Sequence, residues 1–321
     1  MSSLIQKRLS AFKQQPRLQA GSLIVSVFGD AIYPKGGSIW LGCLIRLLGP
    51  LGLNDRLIRT AIYRLVKEDW LQAKSFGRRT DYGLSPTGRA RIESASKLIY
   101  ADGNNTWDKH WRMLISNGQA PSNERERLRH FLFWHGFGQW NPHTFIHPSA
   151  DLNDILDRLD DEGMSAWRSQ LLCVLSPNIS QDDRLTQAQV VKQSWDLAHL
   201  SHSYQHFVRL YQPIWMRLQQ SNPAFMSDQD AFHLRILLVH DFRRLLLRDP
   251  SLPDALLPTN WPGLDARRVF NGLYLNCLPA SQQFLDEHLQ LADDSHPSTP
   301  MNHTRSDSLT STVSRMLRQV A

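Results

Sequence analysis

Along the chain a polar opening stretch, 1–20, gives way to an apolar run, Ser22-Leu-Ile-Val-Ser-Val-Phe-Gly-Asp-Ala-Ile-Tyr33. That run suits a buried first helix, which Pro34 and the Gly36–Gly37 pair end. Ser38 is placed to cap a second helix, with Ile39, Trp40, Leu44, Ile45, Leu47 and Leu48 at helical spacing. After the turn Gly49-Pro-Leu-Gly52, Asn54 caps a third helix, and Asp55 suits the positive end of its dipole. On this third helix Leu57, Ile58, Ala61, Ile62, Leu65 and Val66 make one apolar stripe. Arg56, Arg59, Thr60, Tyr63, Arg64 and Lys67 fill the opposite face. Two short runs, Trp70–Ser75 and Thr80–Leu84, pair as a hairpin around Phe76-Gly-Arg-Arg79.

Arg89 to Tyr100 reads as a connecting helix, and Asp102-Gly-Asn-Asn105 as a turn-rich boundary. The middle alternates: strand Trp111–Ile115, helix Glu124–Trp134, a break at Gly136-Phe-Gly138, strand Thr144–His147, helix Leu152–Leu159 and strand Gln170–Leu175. This order predicts a ferredoxin-like α/β unit. Lys192 to Gln220 is helical and rich in aromatics (Trp195, Tyr204, Phe207, Tyr211 and Trp215), with Pro213 expected to kink or restart it. Further helices are expected over Gln229–Leu247, Leu264–Leu275 and Ser281–Leu291, before a Ser/Thr/Asn/Pro-rich tail from Ala292 to Ala321 with a weak amphipathic stretch at Val313–Val320. The predicted class is therefore α+β and multidomain. It has a polar leader (1–20), a winged helix–turn–helix head (21–100), a ferredoxin-like middle domain (101–180), an all-helical effector and dimerisation domain (190–291) and a mobile tail (292–321).

Composition narrows the function classes. The 321 residues are 41% hydrophobic and 21% charged, enough apolar content for sizeable cores. Cys43, Cys173 and Cys277 lie far apart without a CxxC pair, which argues against a disulfide framework or a cysteine zinc site and fits a reducing, cytoplasmic setting. No apolar run approaches the roughly 18 residues of a membrane span. The net charge of +6 hides a gradient. Residues 1–92 hold 15 Lys/Arg against 5 Asp/Glu, a surplus of +10, while the remainder carries 21 against 25, or −4. A basic head on a slightly acidic body suits a polyanion partner.

Pattern ties that charge to DNA. A second helix of a helix–turn–helix enters the major groove, where arginine bonds guanine bidentately. A basic hairpin directly after it suits the DNA backbone or minor groove. Arg56, Arg59, Thr60, Tyr63, Arg64 and Lys67, with Lys74, Arg78 and Arg79 of the hairpin, are the candidate DNA contacts. The histidines are less specific. His110, His130, His135, His143 and His147 have no chelating spacing, and His199, His202 and His206 share one helix face without a carboxylate at the next turn. Tyr211, Trp215, His240, Arg243, Arg244 and Trp261 are candidate effector-binding residues, apolar rings beside guanidinium forks suited to phosphate; core packing with solvated arginines is the alternative.

Several stretches resemble the PaaX-type repressors of phenylacetate catabolism. They are Gly21-Ser-Leu-Ile-Val-Ser-Val-Phe-Gly-Asp, Arg59-Thr-Ala-Ile-Tyr-Arg-Leu, Gly77-Arg-Arg-Thr-Asp-Tyr-Gly-Leu-Ser and Phe131-Leu-Phe-Trp-His-Gly-Phe-Gly, followed by His240-Asp-Phe-Arg-Arg, Asp249-Pro-Ser-Leu-Pro and Trp261-Pro-Gly. The resemblance covers about 20–275. It implies a homodimeric repressor whose winged-helix head binds double-stranded, inverted-repeat operator DNA. It also implies release by an aryl-CoA thioester, phenylacetyl-CoA in the type member, with no cofactor, metal or catalytic residue. The family's middle domain is similar to small CRISPR-associated endoribonucleases, which carry an aspartate at the end of the first strand; here that exit reads Ile115-Ser-Asn117. Two alternatives stay open: a metal-dependent nuclease using Asp108 or His110, and a DNA-binding regulator with a metal or small-acid effector at His199, His202 and His206.

Overall fold

The computed structural model describes residues 3–16, 18–100, 107–177, 186–220 and 226–297. The chain divides into two compact units, one of residues 1–102, 205–244 and 264–321, the other of 103–204 and 245–263. The boundary stretch 102–105, most of the expected tail and its Val313–Val320 segment lie outside the described residues.

The first unit begins with α1 (Ser3–Lys13) and α2 (Ala20–Val27), which runs on through a widened π turn, Phe28–Ile32, and a tight turn, Tyr33–Lys35. Residues 1–20 read as a polar leader, yet Ile5, Leu9 and Phe12 at i, i+4 and i+7 give α1 an inward face, and all three are buried. The sequence also places a helix from Ser38. There the chain instead forms strand β1 (Ser38–Trp40), and α3 (Leu41–Leu48) starts after it. Helix α4 (Asp55–Lys67) is capped as expected, Asn54 Oδ1 accepting from the Leu57 N–H at 2.8 Å. Then come β2 (Leu71–Phe76), β3 (Arg79–Leu84) and α5 (Pro86–Ile99).

The three strands form an antiparallel sheet in the order β1-β3-β2. Pairing of Phe76 with Arg79 leaves a two-residue turn in which Gly77 has φ +57°, a left-handed conformation that costs glycine little. Gly83 pairs with Ser38; a Cβ there would come within 2.8 Å of Ser38 Oγ, so the close approach of β1 requires glycine.

The second unit holds β4 (Trp111–Ser116), α6 (Ser122–Trp134), β5 (Gly138–Asn141), β6 (Thr144–His147), α7 (Leu152–Asp161) and β7 (Leu171–Ser176). Their sheet is antiparallel in the order β5-β6-β4-β7. The sequence reading omits β5, which completes the β-α-β-β-α-β order of a ferredoxin-like unit. Leu114, Leu128, Leu132, Phe145, Ile155, Leu159 and Trp167 form its core between sheet and helices.

Helices α8 (Gln187–Ser194), α9 (Leu197–Gln219), α10 (Asp228–Leu246) and α11 (Pro262–His288) follow. The division between the two compact units falls within α9 and within α10. Two helices were expected where α11 runs unbroken for 27 residues across Pro279. Tyr274, Cys277, Ser281, Phe284 and Leu285 are buried on both sides of the proline, and that continuous packing offsets the backbone bond it forfeits.

Inside the first unit, Arg235 on α10 meets Asp30 of the widened turn, Nε to Oδ2 at 2.8 Å, with both side chains buried. Asp30 Oδ1 accepts from the hydroxyls of Tyr100 at 2.7 Å and Tyr274 at 3.0 Å, and Arg235 Nη2 donates to the Asp30 carbonyl at 2.9 Å. Removing one member leaves the other charge buried and unpaired. Asp30→Ala is therefore expected to lower unfolding free energy by about 3–5 kcal/mol. Tyr100→Phe, which deletes one hydrogen bond, should cost about 1 kcal/mol. Urea denaturation of the two variants checks both.

Candidate nucleic-acid interface

Helix α4 presents a divided surface. Ile58, Ala61, Ile62 and Leu65 are buried, Leu57 is half-buried, and Val66, expected within the apolar stripe, is exposed. Arg56, Arg59, Thr60, Tyr63, Arg64 and Lys67 are all exposed, Tyr63 at 71%. An aromatic that open on a helix without a covering element has a free ring face and hydroxyl for a partner.

The cations of this face differ in how they are held. Arg59 is gripped by Asp55 one turn earlier, Nε to Oδ1 at 2.6 Å and Nη2 to Oδ2 at 3.3 Å. Thr60 Oγ1 donates to the Arg56 carbonyl at 2.8 Å. Arg56, Arg64 and Lys67 have no carboxylate partner among the described residues.

On the hairpin, Arg78 occupies the exposed tip, and Lys74 Nζ lies 4.9 Å from the centre of the Phe76 ring. Arg79 is engaged otherwise: it stacks on Trp40, 4.6 Å from the ring centre, and is ion-paired with Asp294. Beside it Asp81 is buried and accepts from the Ala292 N–H at 2.7 Å; burial pushes its carboxyl pKa above the usual range. Two further cations escaped the sequence reading. Arg89 and Arg91 on α5 lie over the rings of Tyr33 and Trp70, at 5.6 and 4.9 Å. Their position one turn after the hairpin was the available signal.

The residues proposed for an effector fall into both units. In the first, Tyr211 is buried; its hydroxyl donates to Asp241 at 2.7 Å and accepts from Arg8 Nε at 3.2 Å, while Arg8 also pairs with Asp241. Arg243 Nη2 donates to Ser22 Oγ at 3.0 Å. Trp215 is half-buried against Gly272, where a Cβ would sit 2.3 Å from its ring. His240 is buried, its Nδ1 3.4 Å from Ser26 Oγ, and burial pushes its pKa down to about 4. With half-buried Arg244 it lines an open pocket of about 470 Å³ walled by Phe12, Gln15, Pro16 and Gln19. Trp261 belongs to the second unit, buried edge-on against Tyr204 with ring centres 5.9 Å apart.

In the second unit Asp108 is bound through both oxygens by Arg112, at 2.7 Å each, and these bonds hold its pKa down to about 2. At the exit of β4, Ser116 Oγ faces His143 Nδ1 at 3.4 Å, and Asn117 Oδ1 caps the Gln119 N–H; no carboxylate occupies the strand end. His147 is buried, and its Nδ1 accepts from the Ser149 and Ala150 N–H groups at 2.9 and 2.8 Å, a turn-capping role. His199, His202 and His206 are exposed on α9. Among the described residues no group of three or more His, Cys, Asp or Glu side chains is arranged to hold a metal ion, and no helix is long and apolar enough to cross a membrane.

A basic helix face and a basic hairpin on one unit, together with a ferredoxin-like unit and long C-terminal helices, define the class of a modular protein with a basic N-terminal head. Comparison with known proteins gives the family. Residues 19–88 match the model described as PaaX-like protein, 104–178 the PaaX protein central Cas2-like domain, and 195–287 the PaaX-like protein C-terminal domain. The chain is 34% identical over 270 residues to the transcriptional repressor PaaX of Escherichia coli strain K12, covering 83% of each chain. The chain belongs to the PaaX family. Its fold is similar to that of the uncharacterized protein Rv0674 from Mycobacterium tuberculosis, with a TM-score of 0.53 at 22% identity, over 82% of this chain and 97% of that one.

Three buried histidines, His147, His233 and His240, have pKa values lowered by burial and make stability pH-dependent. Burial pushes His147 and His240 each down to about 4 from the usual histidine value of 6.5. Between those values the unfolded chain binds the extra protons, so stability rises with pH across the window and is lost as pH falls through it. Each site is worth at most about 3 kcal/mol by this linkage. Denaturation midpoints should fall from pH 6.5 to pH 4, and His240→Gln should flatten that slope.

Proposed function

We propose that this chain is a DNA-binding transcriptional repressor whose residues 21–100 form a winged helix, with α4 as the recognition helix and β2–β3 as the wing. The observation that carries the reading is the exposed face of α4, where Arg56, Arg64 and Lys67 have no carboxylate partner among the described residues and stand beside an open Tyr63, on the same unit as a hairpin tipped by Arg78. Unpaired guanidinium groups are free to fork onto guanine O6 and N7, whereas Lys67, Lys74 and Arg78 suit phosphates. Arg59 contributes by exchanging its exposed Asp55 partner for a base or phosphate, an exchange between groups of similar geometry. The relative in Escherichia coli is named a transcriptional repressor, which supports the same reading.

In this proposal the protein acts as a homodimer on inverted-repeat operators of phenylacetate catabolic genes, works without a cofactor or catalytic step, and is released by an aryl-CoA thioester such as phenylacetyl-CoA. The open pocket of Phe12, His240 and Arg244 is the best-placed receptor in the first unit: an apolar wall for an aryl group and a guanidinium for phosphate. Buried Tyr211 and Arg243 serve there as supports, since their polar atoms are already engaged by Asp241, Arg8 and Ser22.

Operator-binding assays test the head. Arg59→Ala and Arg64→Ala should each cost about 1–3 kcal/mol and relax base preference at one position. Arg78→Ala should weaken all sequences alike and lower the salt slope by roughly one. Unchanged affinity and preference in both recognition-helix variants overturn the reading. Calorimetry with phenylacetyl-CoA, free phenylacetate and Zn²⁺ separates the effector classes, and Arg244→Ala should abolish the thioester signal.

A further inference from the structure

Of the nine candidate DNA contacts, Arg79 is the one that, among the described residues, makes an ion pair with a residue more than 200 positions along the chain. The segment that follows α11 lies along the hairpin sheet. The His288 carbonyl accepts from Cys43 Sγ at 3.1 Å, and the Gln290 carbonyl from the Trp40 N–H at 3.0 Å. Gln290 Oε1 accepts from Arg46 at 2.7 Å, and Ala292 donates to Asp81 at 2.7 Å. Leu289 and Ala292 are buried beneath these bonds. Beyond them the chain turns sharply, Leu291 N–H donating to the Ser295 carbonyl at 2.9 Å, with Asp294 at φ +64°. Aspartate tolerates that left-handed conformation better than most residues, and it is the residue whose carboxylate takes Arg79.

A carboxylate and a phosphodiester offer a guanidinium the same chemistry, paired anionic oxygens. The strap brings two acids, Asp293 and Asp294, to a hairpin whose other cations make no ion pair among the described residues, Lys74 acting on Asp81 and Asp293 only at longer range. Its anchors are buried, but the tip is not: Arg79 is 39% exposed and Asp294 70%. An ion pair that open is weak and exchanges readily, whereas the backbone bonds behind it persist.

We propose that Asp294 sets the DNA affinity of the hairpin by standing in cis where a DNA phosphate would stand on Arg79. The residues from His288 to Ser295 are then a built-in competitor, docked by Leu289, Ala292 and Asp81, whose acidic tip must be displaced before Arg79 contacts the backbone. The inference rests on the reading of the hairpin as a DNA-binding wing.

The test is a salt series of operator binding, by fluorescence anisotropy, for the wild-type protein, Asp294→Asn, Arg79→Ala and the double variant. Asparagine keeps the left-handed turn accessible and removes only the charge. Asp294→Asn should bind about two- to fivefold tighter at low salt, the scale of one exposed ion pair. Its log–log salt slope should steepen by roughly one, the release of one more counterion. In the Arg79→Ala background the same substitution should have no effect, which a general loss of negative charge would not reproduce. Operator binding that is neither tighter nor steeper in Asp294→Asn overturns the inference, as does a gain that survives Arg79→Ala. Elution from heparin reads the release of Arg79 without any operator: an Arg79-dependent shift to higher salt supports the inference even if operator binding fails, a failure that would overturn the repressor reading instead.

Discussion

A carboxylate and a guanidinium withdrawn from water are costly unless every remaining polar atom finds a partner, and the Asp30–Arg235 pair shows how that constraint organises the first unit. Asp30 sits in the widened turn that ends α2, Arg235 in the middle of α10, Tyr100 just past α5 and Tyr274 in α11. Their bonds accept only one rotational setting of α10 and α11 against α2. Hydrophobic packing alone would leave that setting softer, since apolar contacts are not directional. Because α4 packs on α2, the basic face of α4 inherits its placement from a polar contact made by segments more than 200 residues apart.

The charge surplus of the head acquires meaning only once its cations are sorted by partner. Lys35 is paired with Asp286, Arg59 with Asp55 and Arg79 with Asp294, whereas Arg56, Arg64, Lys67, Lys74 and Arg78 make no ion pair among the described residues, although Lys74 acts on Asp81 and Asp293 at longer range. With Arg8 paired to Asp241, three of these four pairing acids come from the C-terminal part of the chain. The slightly acidic body implied by the −4 remainder is thus partly a local counter-charge for the basic head. Net charge reports the size of such a field; the pairing decides which groups can give up water or a counterion to a polyanion at small cost.

Local rules made much of this legible. The Asn54 cap, the face of α4 and the β2–β3 hairpin all follow from contacts within a few residues, and all stand in the structure. The misreadings share a different physical origin. Strand β1 is three residues long and exists because β3 pairs with it some 40 positions later, which no periodicity encodes. Strand β5 is four residues led by Gly138 and closed on β6 by a two-residue turn, too short for alternation to register. Helix α11 crosses Pro279 because its flanks are buried on one face, a tertiary effect that overrides propensity. In the candidate site, the identity of the exposed cations is readable, but the ion pair of Arg79 is not, since its partner lies more than 200 residues away.

The proposed effector pocket can be connected to the head by the same buried pair. Arg244 and Arg235 lie nine residues apart on α10, roughly 13 Å along a helix. A helix of 19 residues transmits an axial shift or rotation over that span more easily than it bends, so a ligand drawing on Arg244 loads the Asp30–Arg235 contact. That contact is short, buried and surrounded by hydroxyls that donate to Asp30, so any effector acting through α10 must act against it. In the proposed mechanism, a thioester or acid bound there changes DNA affinity only by the difference in its own affinity for the DNA-competent and DNA-incompetent states. Tight binding alone is therefore insufficient: an effector must find Arg244 better placed when α2 and α4 are set wrongly for DNA than when they are set rightly.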